Sequence, residues 1–194
     1  METIQLYMLL LGCKPKGRHT EQHDIFFGAG ASLKDLVPDM LAFWPDAGTI
    51  HIDAWRTVTE VDGYAISLIP RNLQANPVNT NSTQLFFINL GGYKENEFEE
   101  FHYKILVVGK DKGEAIQKAK ASAFYQNTGF TGAVSHIDDK YGVDVDDLFE
   151  IEDILPAHIK QVYSLQITAV QNTPKDEWIL GYTKLSSLIP KNIS

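Results

Sequence analysis

The sequence predicts an α+β protein built from two tandem β-β-α-β-β repeats related by a pseudo-twofold axis, with a C-terminal β-hairpin extension. Three observations predict it. The run IQLYMLLLG at residues 4–12 returns as TQLFFINLG at 83–91, an offset of 79 that also carries Glu21, His23 and Gly30 onto Glu100, His102 and Gly109. His51-Ile52-Asp53 recurs at an offset of 85 as His136-Ile137-Asp138, and Leu68-Ile69-Pro70 recurs as Ile154-Leu155-Pro156. The order never breaks, as duplication of one supersecondary unit requires, with about six extra residues between the halves of the second copy. The boundaries that follow are a first repeat at 1–71, a linker at 72–82, a second repeat at 83–157 and a strand extension at 158–194. The linker is rich in Asn, Pro and Ser and lacks apolar periodicity.

Each repeat opens with a continuous apolar run, the pattern of a strand covered on both faces and therefore central in its sheet. Second strands are expected at 22–28 and 101–108, ended by Gly30 and Gly109. A helix follows in each copy. At 111–125 good helix formers carry Ile116, Ala119, Ala123 and Phe124 at helical spacing. In the first copy Ser32 and Asp35 have capping-box spacing, but Pro38 requires the helix either to begin near Asp35 or to kink. Residues 49–55 then alternate, which places Ile50, Ile52 and Ala54 on one face and His51, Asp53 and Trp55 on the other. A fourth strand is expected at 64–69. Beyond the repeats, 161–170 alternates and 178–183 is the expected hairpin partner across the turn formers of 172–176. One helix covers only one face of each sheet, so the two sheets are expected to merge or to pack on each other.

Composition narrows the function. The chain has 194 residues, 44% of them hydrophobic, and can bury a sizeable core. Its 25 acidic residues against 17 basic ones give a net charge of -8, which argues against nucleic acid as a partner, since phosphate binding needs a clustered basic face. Cys13 is the single cysteine, so no internal disulfide forms and a cytoplasmic location is expected. Leu10-Leu11-Gly12-Cys13 has the look of a lipoprotein cleavage site. Glu2 stands where a positive segment belongs, however, and the same run recurs deep in the chain, so it reads as a core strand. No apolar stretch is long enough for a membrane span.

The first copy also carries Gly12-Cys13-Lys14-Pro15-Lys16-Gly17-Arg18, Glu21-Gln22-His23-Asp24-Ile25-Phe26-Phe27-Gly28, Leu33-Lys34-Asp35-Leu36, Ala42-Phe43-Trp44-Pro45, His51-Ile52-Asp53-Ala54-Trp55-Arg56 and Val61-Asp62-Gly63-Tyr64. Over residues 4–70 this resembles the bacterial family catalogued as domain of unknown function 1543, whose members carry one or two copies of such a module. The second copy keeps the apolar skeleton and departs at the Lys-Pro-Lys-Gly-Arg segment. The resemblance implies a bacterial source and the module boundaries; it implies no catalytic residue.

Two constellations could carry chemistry. Residues two apart on a strand share a face, so Glu21 with His23 and His51 with Asp53 project together. If their strands are neighbours, two imidazoles and two carboxylates converge as ligands for zinc, manganese or iron, or as acid-base groups. Glu100, His102, His136 and Asp138 are the echo of that set. The alternative is a set of cross-strand pairs on a wet sheet face. The second constellation is the basic loop Lys14, Lys16, Arg18 and His19, backed by Arg56, which suits a small anionic ligand or an acidic partner surface. Its counterpart, residues 93–98, is acidic, so the two loops could instead dock within a chain or across a homodimer. Gly28-Ala29-Gly30 lacks a nucleotide fingerprint. The leading expectation is a non-catalytic ligand-binding or protein-interaction module, with the first copy holding the site. The alternative is a small metal-assisted or acid-base hydrolase using Glu21, His23, His51 and Asp53. No cofactor is specified by the sequence.

Overall fold

A computed structural model of the protein describes residues 3–73, 83–93, 96–122, 143–171 and 173–189. Among the described residues the fold is mixed α and β, dominated by antiparallel strands in three sheets, and the chain divides into two units, residues 1–75 with 155–194 and residues 76–154. No helix among the described residues is long and apolar enough to cross a membrane.

In the first unit β1 (Gln5–Cys13), β2 (Gln22–Gly30), β3 (His51–Thr57) and β10 (Ile179–Lys184) form one sheet in the order β10-β3-β1-β2. The apolar first strand is central, as its continuous hydrophobicity requires, and both of its faces are covered. Tyr7, Leu9, Leu11 and Cys13 join Phe26, Leu36, Met40 and Ile52 in the core on one face. The capping box forms: Ser32 donates to Asp35 Oδ2 from its backbone N–H at 2.9 Å and from its hydroxyl at 2.9 Å. A 3-10 turn at Leu33–Leu36 follows, then α1 (Val37–Phe43), with Pro38 in the first turn where its missing N–H costs nothing.

A second sheet of this unit, β4-β5-β9, joins β4 (Glu60–Val61), β5 (Tyr64–Pro70) and β9 (Tyr163–Ala169). The expected C-terminal hairpin does not form, because β9 pairs with β5 over the full length of both and β10 pairs with β3. The chain is diverted between them by Asp176. Its carboxylate accepts from Thr59 N at 2.9 Å, Thr59 Oγ1 at 2.5 Å and Glu60 N at 3.2 Å, pinning the approach to β10 beside the end of β3.

In the second unit β6 (Gln84–Tyr93) lies between β7 (Glu100–Gly109) and β8 (Val143–Glu150). The helix α2 (Lys112–Lys120) is capped by Asp111, which accepts from Glu114 N, and buries Ala115 and Ala119; it ends short of the expected residue 125. The β1–β2 pairing runs from Gln5 opposite Gly30 to Gly12 opposite His23, and the β6–β7 pairing from Gln84 opposite Gly109 to Gly91 opposite His102. The two registers differ by the same 79 positions. The third strands do not follow the expected offset of 85. Asp144 stands opposite Gly91 where His51 stands opposite Gly12, a difference of 93; His136 and Asp138 lie outside the described residues, as does most of the expected linker. Ile154-Leu155-Pro156 is no strand either, since Ile154 ends the short helix α3 (Ile151–Ile154) and Leu155 and Pro156 lie in the connection that follows.

Candidate metal centre

Glycine organises the site. Gly12, on β1, is flanked in register by His23 on β2 and His51 on β3, so all three face the same side of the sheet, opposite to Cys13. With no side chain, Gly12 leaves a hollow between two imidazoles. A Cβ there would lie 2.5 Å from Asp53 Oδ2, 2.9 Å from His51 Cε1 and closer still to His51 Nε2.

Asp53 reaches the hollow through a β-bulge. Leu11 pairs with Ile52 but Leu10 pairs with Ala54, so Asp53 is the extra residue and the strand re-aims around it. Simple alternation fails beyond this point. Ala54 takes the site face opposite Leu10, and Trp55 turns inward opposite Leu9, packing on the core 6.1 Å from the Tyr7 ring.

The four side chains singled out as a metal set converge. His23 Nε2 is 3.3 Å from Asp53 Oδ2 and 3.7 Å from Glu21 Oε2; His51 Nε2 is 3.2 Å from Asp53 Oδ2 and 3.1 Å from Glu21 Oε1. The cluster is deep at one wall and open at the other. The His51 side chain is 6% exposed and that of Glu21 45%. Asp53 Oδ2 is shielded from solvent yet accepts no hydrogen bond, because neither neighbouring imidazole directs an N–H along its line. A shielded oxygen without a hydrogen bond costs about 1–3 kcal/mol, which only charge on the two imidazoles or a bound cation would offset.

One site residue gave no sequence signal. β10 also bulges, with Gly181 at φ +131° and Tyr182 looping out opposite Asp53, and the Tyr182 ring lies 4.5 Å from the His51 ring. It backs the buried imidazole from a strand more than a hundred residues away in sequence.

The basic loop is a separate feature. Lys14, Lys16, Arg18 and His19 are exposed on the β1–β2 connection, which turns through Arg18 N donating to Pro15 O at 3.2 Å and Gly17 at φ +82°. Arg56 does not back this loop. It pairs with Met8, five strand positions from Cys13, so about 16 Å of strand separates them. Its guanidinium instead stacks 4.5 Å above the Trp178 ring, its Nε is buried without a hydrogen bond, and burial lowers its pKa while Asp176 and Glu60 oppose that shift. Cys13 is buried in the core, where desolvation and then Glu21 raise its thiol pKa.

Comparison with known proteins bears on the segment that builds this centre. Residues 18–68 match the family model Domain of Unknown Function (DUF1543). The DUF1543 match spans all four clustered side chains. The chain is also similar to the crystal structure of a protein Il1583 from Idiomarina loihiensis, with 21% identity, a TM-score of 0.54, and coverage of 94% of this chain and 97% of that one. That likeness concerns the fold alone. No curated protein matches the chain.

Proposed function

We propose that the first unit is a metal-binding module that holds one divalent transition-metal ion on Glu21, His23, His51 and Asp53. The observation that carries the reading is the shielded Asp53 Oδ2 with two imidazole Nε2 atoms 3.2 and 3.3 Å away and no hydrogen bond from either. Two ligand atoms about 2.1 Å from a tetrahedral ion stand about 3.4 Å apart. Four of the six separations in the cluster, 3.1 to 3.7 Å, bracket that spacing, and the remaining pairs, His23 with His51 and Glu21 with Asp53, must close further on the ion. Two nitrogens and two carboxylate oxygens suit zinc, with manganese and iron as competitors.

Four protein ligands make a closed set, which favours binding or structural use over hydrolysis. A hydrolase reading is favoured by one observation, the half-exposed Glu21, which could leave the ion to a water and act as base. The shared 79-residue register of β1–β2 and β6–β7 supports reading the chain as two copies of one unit, and the buried thiol of Cys13 fits a reducing cytoplasm. Zinc titration against a competing chelator tests the reading. Wild type should bind, and His51→Ala and Asp53→Asn should each lose at least about 100-fold in affinity. Equal affinity in all three would end the proposal.

A further inference from the structure

The second unit carries its own ligand set, in a different balance of atoms. Glu100 and His102 on β7 and Asp146 on β8 each offer an atom within 4.8 Å of the others. Asp146 Oδ2 is 3.2 Å from His102 Nδ1, and Glu100 Oε2 is 3.8 Å from His102 Nε2. Glycine again makes the hollow: Gly91 stands opposite His102, and a Cβ on it would collide with the Asp146 carboxylate.

The neighbouring Asn89 adds a second observation. Its Nδ2 donates to Asp147 Oδ2 at 3.2 Å, which fixes the amide, and the same nitrogen faces His102 Nδ1 at 3.2 Å. His102 Nδ1 thus has the Asn89 amide nitrogen and the Asp146 carboxylate each 3.2 Å away. Asn89 Oδ1 is shielded and without a hydrogen-bond partner.

We propose that Glu100, His102 and Asp146 form a second divalent-cation site of the oxygen-preferring class. With one nitrogen against two carboxylate oxygens the set matches Mn2+ better than Zn2+, whereas the first centre has two nitrogens. This site shares no residue with the first. The test is Mn2+ titration of the full chain, followed by loss of the free-ion electron paramagnetic resonance signal, in a His51→Ala background that disables the first centre. One equivalent of Mn2+ should bind. Glu100→Gln, nearly isosteric and on an exposed side chain, should weaken it about 10-fold or more, and adding Asp146→Asn should abolish it, with circular dichroism unchanged. Absence of Mn2+ binding in the His51→Ala chain, or binding indifferent to Glu100→Gln and Asp146→Asn, overturns the proposal. Zinc binding in Glu100→Gln with intact His51 reports separately on the first centre.

Discussion

Gly12→Ala is the cleanest perturbation of the first centre, because it alters no ligand. The strand backbone at Gly12 does not require a positive φ, so alanine is conformationally acceptable and, by restricting the unfolded chain, would stabilise by about 0.4–1 kcal/mol if space allowed. Space is what is missing. Ordinary contact begins at 3.4 Å, whereas the new Cβ would meet Asp53 Oδ2 at 2.5 Å and His51 Nε2 nearer still. Both ligand tips must retreat by roughly 1 Å, about five times the 0.2 Å tolerance of a metal–ligand distance. His51 has little room to retreat, being 6% exposed on its side chain and backed by Tyr182. Zinc affinity should therefore fall at least about 100-fold, equivalent to about 2.7 kcal/mol. Stability in chelator should change by only about 1 kcal/mol, since side-chain tips rather than backbone give way. Thermal unfolding with and without excess zinc reads both quantities. For a domain of about 100 residues the zinc-induced rise in Tm should shrink by about 10 °C relative to wild type. A rise preserved within about 2 °C, with affinity within about threefold, would refute the reasoning.

Tyr182→Ala removes the ring behind His51 and should weaken zinc by about 3- to 10-fold, the scale of one aromatic contact, in the same chelator competition. Asp176→Ala deletes three hydrogen bonds to Thr59 and Glu60 and should cost about 2–3 kcal/mol in urea unfolding, with zinc affinity falling too because β10 loses its anchor. The Cys13 thiol, buried and with its pKa raised, holds less thiolate at pH 8 than a free cysteine; Ellman's reagent should label the native protein more than about 100-fold more slowly than the protein in denaturing urea. Rapid labelling of native protein would contradict the burial of that strand end.

The central strands were legible because β1 and β6 carry unbroken apolar runs, at 6–11 and 85–88, a pattern that burial on two faces imposes. The clustering of the four side chains was legible at Glu21 and His23 from their two-residue spacing, which puts them on one face. At His51 and Asp53 the expectation of a shared face held while alternation did not: the bulge that supplies Asp53 also sends Trp55 into the core, and a bulge is a property of two paired strands, invisible in one. The partners of β9 and β10 were illegible because alternation marks a strand without saying which edge it joins. Tyr182 was missed on the same account. Arg56 was placed beside the basic loop on charge alone, and the register moved it to the far end of the strand.

The first unit is stitched from both ends of the chain, with β10 lying on β3 and Asp176 fastened to Thr59. During synthesis, therefore, the residues of the second unit leave the ribosome before β10 does, and their sheet can close while the His51 wall still lacks its aromatic backing. If the first centre holds an ion as proposed, its loading would wait until β10 has been made, and a stop before Trp178 would impair ion retention as much as folding.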